Sequence, residues 1–305
     1  MAPDTLTAHG DPGTPGAMSD VGDDRPGWNP EMGGPLVPGM LAWDRFTVGR
    51  RRETWLCWSV DLWAPVVVKL VRPGWRPSWT QALDREVRAL AHVAHPAVPR
   101  LLADGRDGAV PYIAVEYFDG PSLSQCADAE GAFPCGDVAR IGVLVLGAVR
   151  ALHAAGNAHL DISPHNVLLA DRRPRLIDLG ASRPLGTRLE PGERLGTVGF
   201  RGPELADAPG VQVTPAMDVC SVGATLLQVL DRDTLGAGEL VDRLAALIDP
   251  DSGRRPTTDA AMAALTRIAG SRTTRPWPGF AEQHLPRAPR RRRAPVGLLA
   301  GVPID

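Results

Sequence analysis

HLDISPHNVLL (His159–Leu169), followed by LIDLG (Leu176–Gly180), is the stretch around which the rest of the chain is organised. An aspartate, an asparagine five residues on and a second aspartate twelve residues later have the spacing of a Mg-nucleotide phosphotransfer site. Asp161 would receive or orient an acceptor hydroxyl. Asn166 and Asp178 would hold the cation that neutralises phosphate oxygens. The flanks Val167–Leu169 and Leu176–Ile177 are apolar and β-rich, which predicts a short buried hairpin with a metal-ligand candidate at each end. Any one of these residues could instead be a loop acid capping its own turn; three at this spacing favour chemistry.

With 305 residues the chain can form one large domain or two modest lobes around a cleft. Its 33 basic and 35 acidic residues nearly cancel, so neither nucleic acid nor an anionic membrane is implied as a partner. Cys57, Cys126, Cys135 and Cys220 form no CxxC pair and predict buried or free thiols in a reducing compartment. No basic-then-apolar leader opens the chain, and the longest clean apolar run, Ile141–Val149, is far short of the ~20 residues of a membrane span. A cytoplasmic protein is expected.

Residues 1–38 are rich in Gly and Pro, with six acids against the single Arg25, and predict a disordered arm. Regular patterning starts at Leu41. Phe46–Val48, Trp55–Trp58 and Pro65–Val71 predict three strands, the last an apolar run containing one cation, Lys69. That lysine either snorkels at a sheet edge or points into a site. The helix predicted over Trp79–Ala94 decides between the two, because Glu86 falls beside its apolar face of Leu83, Val87, Leu90 and Val93 and needs a cation. Leu101–Ala103 and Tyr112–Tyr117 complete a small mixed lobe of five strands and one helix. Beyond Gly120 the pattern turns helical, over Val138–Ala155, Met217–Leu230, Glu239–Ile248 and Thr258–Ile268. From about Gly270 order fades, and the arginine run Arg290–Arg293 reads as part of a solvated tail. The expected division is an arm (1–38), a β-rich lobe (39–118), a mainly helical lobe (119–270) and a basic tail (271–305).

From roughly Trp43 to Ile268 the chain resembles the eukaryotic-like serine/threonine protein kinases of bacteria, whose stations it carries in order. VVVK ends in Lys69, which resembles the strand lysine that grips the nucleotide phosphates. Glu86 resembles the helix glutamate that positions it. AVEYFDG (Ala114–Gly120) is similar to the hinge, with Val115 as gatekeeper and the backbone of Glu116 and Phe118 toward adenine. HLDISPHN resembles the catalytic loop, and Asp178–Gly180 the metal-binding triplet. GTVGFRGPE (Gly196–Glu204) resembles the end of the activation segment. Asp218 resembles the aspartate that anchors the catalytic loop from below, and Arg255 the arginine that pairs with Glu204. The last three stations separate the chain from small-molecule phosphotransferases of the aminoglycoside type.

The resemblance implies an α+β, bilobal kinase-like fold, with a small β-rich N-lobe and a mainly helical C-lobe. It implies ATP and Mg²⁺ as cofactors. Asp161, Lys69 and Glu86 would be catalytic; Gly49, Val67, Lys69, Val115, Glu116, Phe118 and Leu168 would contact nucleotide; Asn166 and Asp178 would hold metal. The expected partner is a protein or peptide presenting a Ser/Thr hydroxyl. A pseudokinase, or a kinase for a peptide or small molecule of a biosynthetic pathway, is the alternative.

Four departures from the family pattern stand out. The glycine-rich loop falls on Gly49, Arg51, Thr54 and Leu56, which keeps one glycine of three. Arg50–Arg52 then either form an exposed basic turn over a looser roof, the favoured reading, or supply side-chain cations to the phosphates. Leu160 replaces the arginine that would receive an activation-segment phosphate, so no strict need for phosphorylation is expected. Ser163 replaces the lysine two residues after Asp161. The stretch between Met217–Leu230 and Asp249 is too short for the family's extra docking helix. Thr187 and Thr197 are the candidate modified hydroxyls. Six tryptophans between Trp43 and Trp79 are expected to pack the exterior of the small lobe.

Overall fold

The computed structural model describes residues 28–270, apart from 50, 75–76, 171–172, 191–192, 194 and 208–209. The expected arm up to residue 27 and the expected tail from 271 lie outside the described residues.

The smaller lobe is an antiparallel sheet in the order β1-β2-β3-β4-β6-β5, built from β1 (Pro35–Val37), β2 (Met40–Val48), β3 (Arg52–Ser59), β4 (Ala64–Val71), β5 (Leu101–Gly105) and β6 (Tyr112–Glu116). Its outer face buries Leu36, Val37, Met40, Ala42, Trp55, Cys57, Val66, Val68 and Leu70 together. Two expectations are corrected here. Regular structure begins at Pro35 rather than Leu41, because Leu36 and Val37 are apolar enough to close the outer face and the Pro38–Gly39 turn, with Gly39 at φ +72°, folds them back onto β2. Trp55 is a core residue only 1% exposed, not exterior packing. Trp43, Trp58 and Trp63 do lie toward the outside, edge to face with centroids 5.8 and 5.7 Å apart.

A 3₁₀ turn (Pro77–Trp79) leads into α1 (Gln81–Leu90), shorter than the helix expected from the periodicity. It buries Ala82, Leu83, Glu86, Val87, Ala89 and Leu90, and stops before Val93 and the His95–Pro96 pair.

The larger lobe contains α2 (Leu123–Glu130), α3 (Cys135–Ala154), β7 (Asn157–Ala158), the hairpin β8 (Val167–Ala170) and β9 (Arg173–Leu176), β10 (Arg183–Pro184), α4 (Glu204–Asp207), α5 (Pro215–Val229), α6 (Ala237–Leu247) and α7 (Thr258–Gly270). Helices α3, α5, α6 and α7 pack on one another around Ile141, Val145, Leu226, Leu244 and Leu265. Unforeseen α2 starts at a capping box, with Ser122 accepting from Gln125 N–H and the Gln125 side chain accepting from Ser122 N–H. Chain residues 230–236 alone join α5 to α6, so no docking helix stands there. All four cysteines are buried and free, and burial pushes the Cys57 thiol up to about 12. No described helix is long and apolar enough to cross a membrane.

Candidate active site

The β8–β9 hairpin carries LIDLG into the cleft, where α1 and β4 meet it. Lys69 projects from β4 and donates to both Glu86 oxygens at 2.7 and 2.8 Å and to Asp178 Oδ1 at 2.9 Å. The predicted partner of Lys69 is therefore present, together with a second that sequence reasoning had not paired with it. Burial alone would lower the lysine, but Asp178 and then Glu86 hold it above its usual value. Lys69 in turn draws Asp178 well below the carboxylate range, while burial pushes Glu86 up.

The opposite wall is the loop before β8. Asp161 Oδ1 accepts the Thr197 hydroxyl at 2.7 Å, and its Oδ2 accepts Asn166 Nδ2 at 3.3 Å. Nδ2 also donates to Asp161 O, which leaves Asn166 Oδ1 as the amide atom suited to a cation. Ile177 N–H bonds to Asn166 O at 2.9 Å, joining the two expected metal positions through the backbone. Among the described residues no group of three or more His, Cys, Asp or Glu forms a metal cage. One carboxylate and one amide oxygen fit Mg²⁺, which keeps waters and shares its shell with phosphate oxygens.

Beneath this wall lies Asp218, fully buried on α5. Its two oxygens accept the backbone N–H groups of His159 and Leu160, each at 2.8 Å, and Oδ2 also bonds His153 Nε2 at 2.8 Å. Burial pushes Asp218 up, but these bonds outweigh it and leave the acid below its usual value. His153 reaches Thr258 on α7 with its other nitrogen, 3.2 Å away. No sequence signal links a histidine in the last turn of α3 to residues this distant. Leu160 and Asp178 both sit at φ +64°, a left-handed conformation costing a bulky residue about 1 kcal/mol or more, and Asp218 holds the strained backbone of Leu160 in place.

The nucleotide-contact candidates divide into three groups. Leu56, Val67 and Val115 are paired in register across β3, β4 and β6 and share one face of the sheet. Glu116 commits its N–H to Arg100 O, so only its carbonyl can serve a base. Phe118 is buried beneath the Arg175 guanidinium, 4.7 Å from the ring centroid, and Leu168 lies on β8, bridged to Ser122. Gly49 lies apart, in the β2–β3 turn; its N–H bonds to Arg52 O at 2.9 Å, and any Cβ there would come within 2.8 Å of that oxygen.

Arg51 and Arg52 are exposed, as expected of a basic turn. Beneath that turn, buried Glu53 accepts from Trp28 Nε1, Arg45 Nη2 and Trp55 Nε1 at 2.6–3.3 Å and forms an ion pair with Arg72 at 3.0 Å, tying β2 and β3 to the segment after β4. Arg51 lies over the Trp79 ring, and a side chain added at Gly180 would meet Arg52 Nη1 at 3.8 Å. At least one roof cation therefore leans toward the phosphate end. Ser163 is fully buried and its hydroxyl has no partner among the described residues, so it does not replace the family lysine with another charge.

A family described as the protein kinase domain matches residues 53–262. The chain is 32% identical over 166 residues to the probable serine/threonine-protein kinase PkwA of Thermomonospora curvata, covering 53% of this chain and 22% of that protein. It is 28% identical over 295 residues to the serine/threonine-protein kinase PknG of Mycolicibacterium smegmatis, covering 83% and 38%. To the serine/threonine-protein kinase PknK of Mycobacterium bovis it is 36% identical over 178 residues, covering 57% and 16%. The chain thus spans well under half the length of these relatives.

Proposed function

The chain belongs to the protein kinase domain family, and on that premise we propose that it transfers the γ-phosphoryl group of ATP to Ser or Thr hydroxyls of a protein or peptide. The observation that carries this is Lys69, half-buried and held between Glu86 and Asp178 where the sheet, α1 and the LIDLG loop converge. Lys69 is thereby held charged and in one place, ready to meet phosphate oxygens without reorganisation. Asp161, fixed by Thr197 and Asn166, faces the acceptor and takes its hydroxyl proton. Asn166 Oδ1 and Asp178 would hold Mg²⁺, which supplies charge neutralisation for the phosphates. Leu56, Val67 and Val115 would cover the adenine from the sheet side and Leu168 from below, while Glu116 and Phe118 would offer it backbone groups.

The test is transfer of labelled γ-phosphate from Mg-ATP to the protein itself and to a generic basic protein. Transfer that disappears in both Asp161→Asn and Asp178→Asn is the expected result. Folded protein that transfers nothing would move the reading to a binding module without catalysis, in keeping with Ser163 and the two missing roof glycines.

A further inference from the structure

Leu160 leaves the catalytic loop without a cation for the segment running from Gly180 to Glu204, yet the segment is tied down twice. From below, Leu189 and Leu195 pack with Leu160 in one apolar cluster. Between those leucines stands Glu193, whose Oε1 accepts from Arg183 Nη2. Arg183, on β10, is itself buried and donates Nη1 to Ala181 O at 2.7 Å and Ser182 O at 3.0 Å.

On the α1 side, Arg85 donates Nε to Gly180 O at 3.0 Å. The next residue, Glu86, accepts from Leu179 N–H at 3.4 Å while it grips Lys69. Consecutive α1 residues thus hold consecutive residues of LIDLG, and α1 packs against β10. Burial, and then Arg183 with Arg52 and Arg88, bring the Arg85 guanidinium down to about 10, whereas Glu193 acts in the opposite direction. Arg85 on α1 and Arg183 on the β10 packed against it thus flank this seam, with Glu193 bound to Arg183 as the acid between them and the segment.

We propose that Glu193 is a positioning residue. Its fixed carboxylate, bound to Arg183, keeps Arg183 and Arg85 together between α1 and the activation segment, and so keeps Glu86 on Lys69 with no added phosphoryl group. A phosphoryl group elsewhere orders such segments by pairing with arginine; here the negative charge is part of the chain. Without it, two partly buried guanidiniums repel across the seam, and the movable member is α1.

This proposal rests on the phosphotransfer reading, and its test separates the two. Glu193→Gln, Glu193→Asp and, as a control on the same turn, Glu190→Gln are compared in the full chain. Amide hydrogen exchange over residues 81–90 reports on α1, and steady-state transfer to a basic protein reports on turnover. Glu193→Gln is expected to speed α1 exchange about tenfold and to lower kcat by about 10²-fold, with KM for ATP within about threefold of the parent. Glu193→Asp restores most of both, and Glu190→Gln matches the parent. Unchanged α1 exchange in Glu193→Gln would overturn the proposal, as would a loss that aspartate does not restore. Exchange needs no turnover, so a parent that transfers nothing would count against the activity while α1 still decides the role of Glu193.

Discussion

Lys69 is shared by two acids in different surroundings: Glu86 is 2% exposed and Asp178 50%. Asp178 stays ionised because the ammonium lies beside it and water reaches it, whereas Glu86 depends on Lys69 for its charge. Lys69→Met therefore leaves Glu86 to protonate in place, and transfer is expected to fall by about 10²–10³-fold, measured as kcat on a basic protein. The sign with pH follows from the shifts. Asp178 lies below its unfolded value, so its contribution is complete above about pH 4 and is lost as pH falls through its folded value. Lys69 lies above its unfolded value, so its contribution is complete below about pH 10 and is lost above that. Because Glu86 is raised further once Lys69 is gone, the Tm difference between parent and Lys69→Met should rise with pH as Glu86 ionises in the variant, and shrink again above about pH 10 as Lys69 deprotonates; a difference that grows in acid would refute the assignment. Glu86 was legible because a carboxylate beside an apolar helix face requires a cation. Glu53 was not, since an acid in a strand gives no sign that Trp28, Arg45, Trp55 and Arg72 will converge on it.

Strands, helices and hairpins were legible wherever apolar periodicity ran long, as in α3 and α5, or where a lone cation interrupted an apolar run, as in β4. Short elements escaped. The two-residue strands β7 and β10 have too few residues for a period, although β10 places Arg183. The capping box of α2 and the Pro38–Gly39 turn are readable signals in stretches where periodicity predicts neither helix nor strand. The catalytic-loop turn depends on a leucine at positive φ, which no pattern of side chains encodes. Leu160 keeps that strained conformation because it is 1% exposed among Leu189, Leu195, Leu205, Val213 and Met217. An apolar contact thus stands where a phosphate–arginine pair would otherwise act. Phosphatase treatment is expected to leave transfer within about twofold, whereas Leu160→Ala should cost about 2–4 kcal/mol in chemical denaturation. A large loss on dephosphorylation would show that the Leu160 cluster and the Glu193–Arg183 pair do not suffice to anchor the segment. Thr197 is a poor modification target here, because its hydroxyl is already donated to Asp161.

At the scale of the molecule, α5 is the post on which the site is mounted. Asp218 at its start holds the catalytic loop, and the Thr258–His153–Asp218 chain ties α7 and α3 to the same point. The activation segment closes on the same region through Glu204, which receives Arg255 in bidentate fashion at 2.6 and 2.8 Å. Arg255 has a fully buried side chain and also donates to Ala216 O and Asp249 O, so it couples the entries to α5 and α7 to the end of the segment. Residues far apart in sequence meet here, and only the family resemblance pointed to the pair; local patterning carries no trace of it. Because Arg255 cannot reach water, removing Glu204 alone strands a buried cation, while removing both partners does not. Glu204→Gln is therefore expected to cost about 3 kcal/mol and Arg255→Met a similar amount. The double variant should fall short of their sum by about 2 kcal/mol in a denaturant-melt cycle. Full additivity would mean that the segment and the helical lobe are held together by something other than this pair.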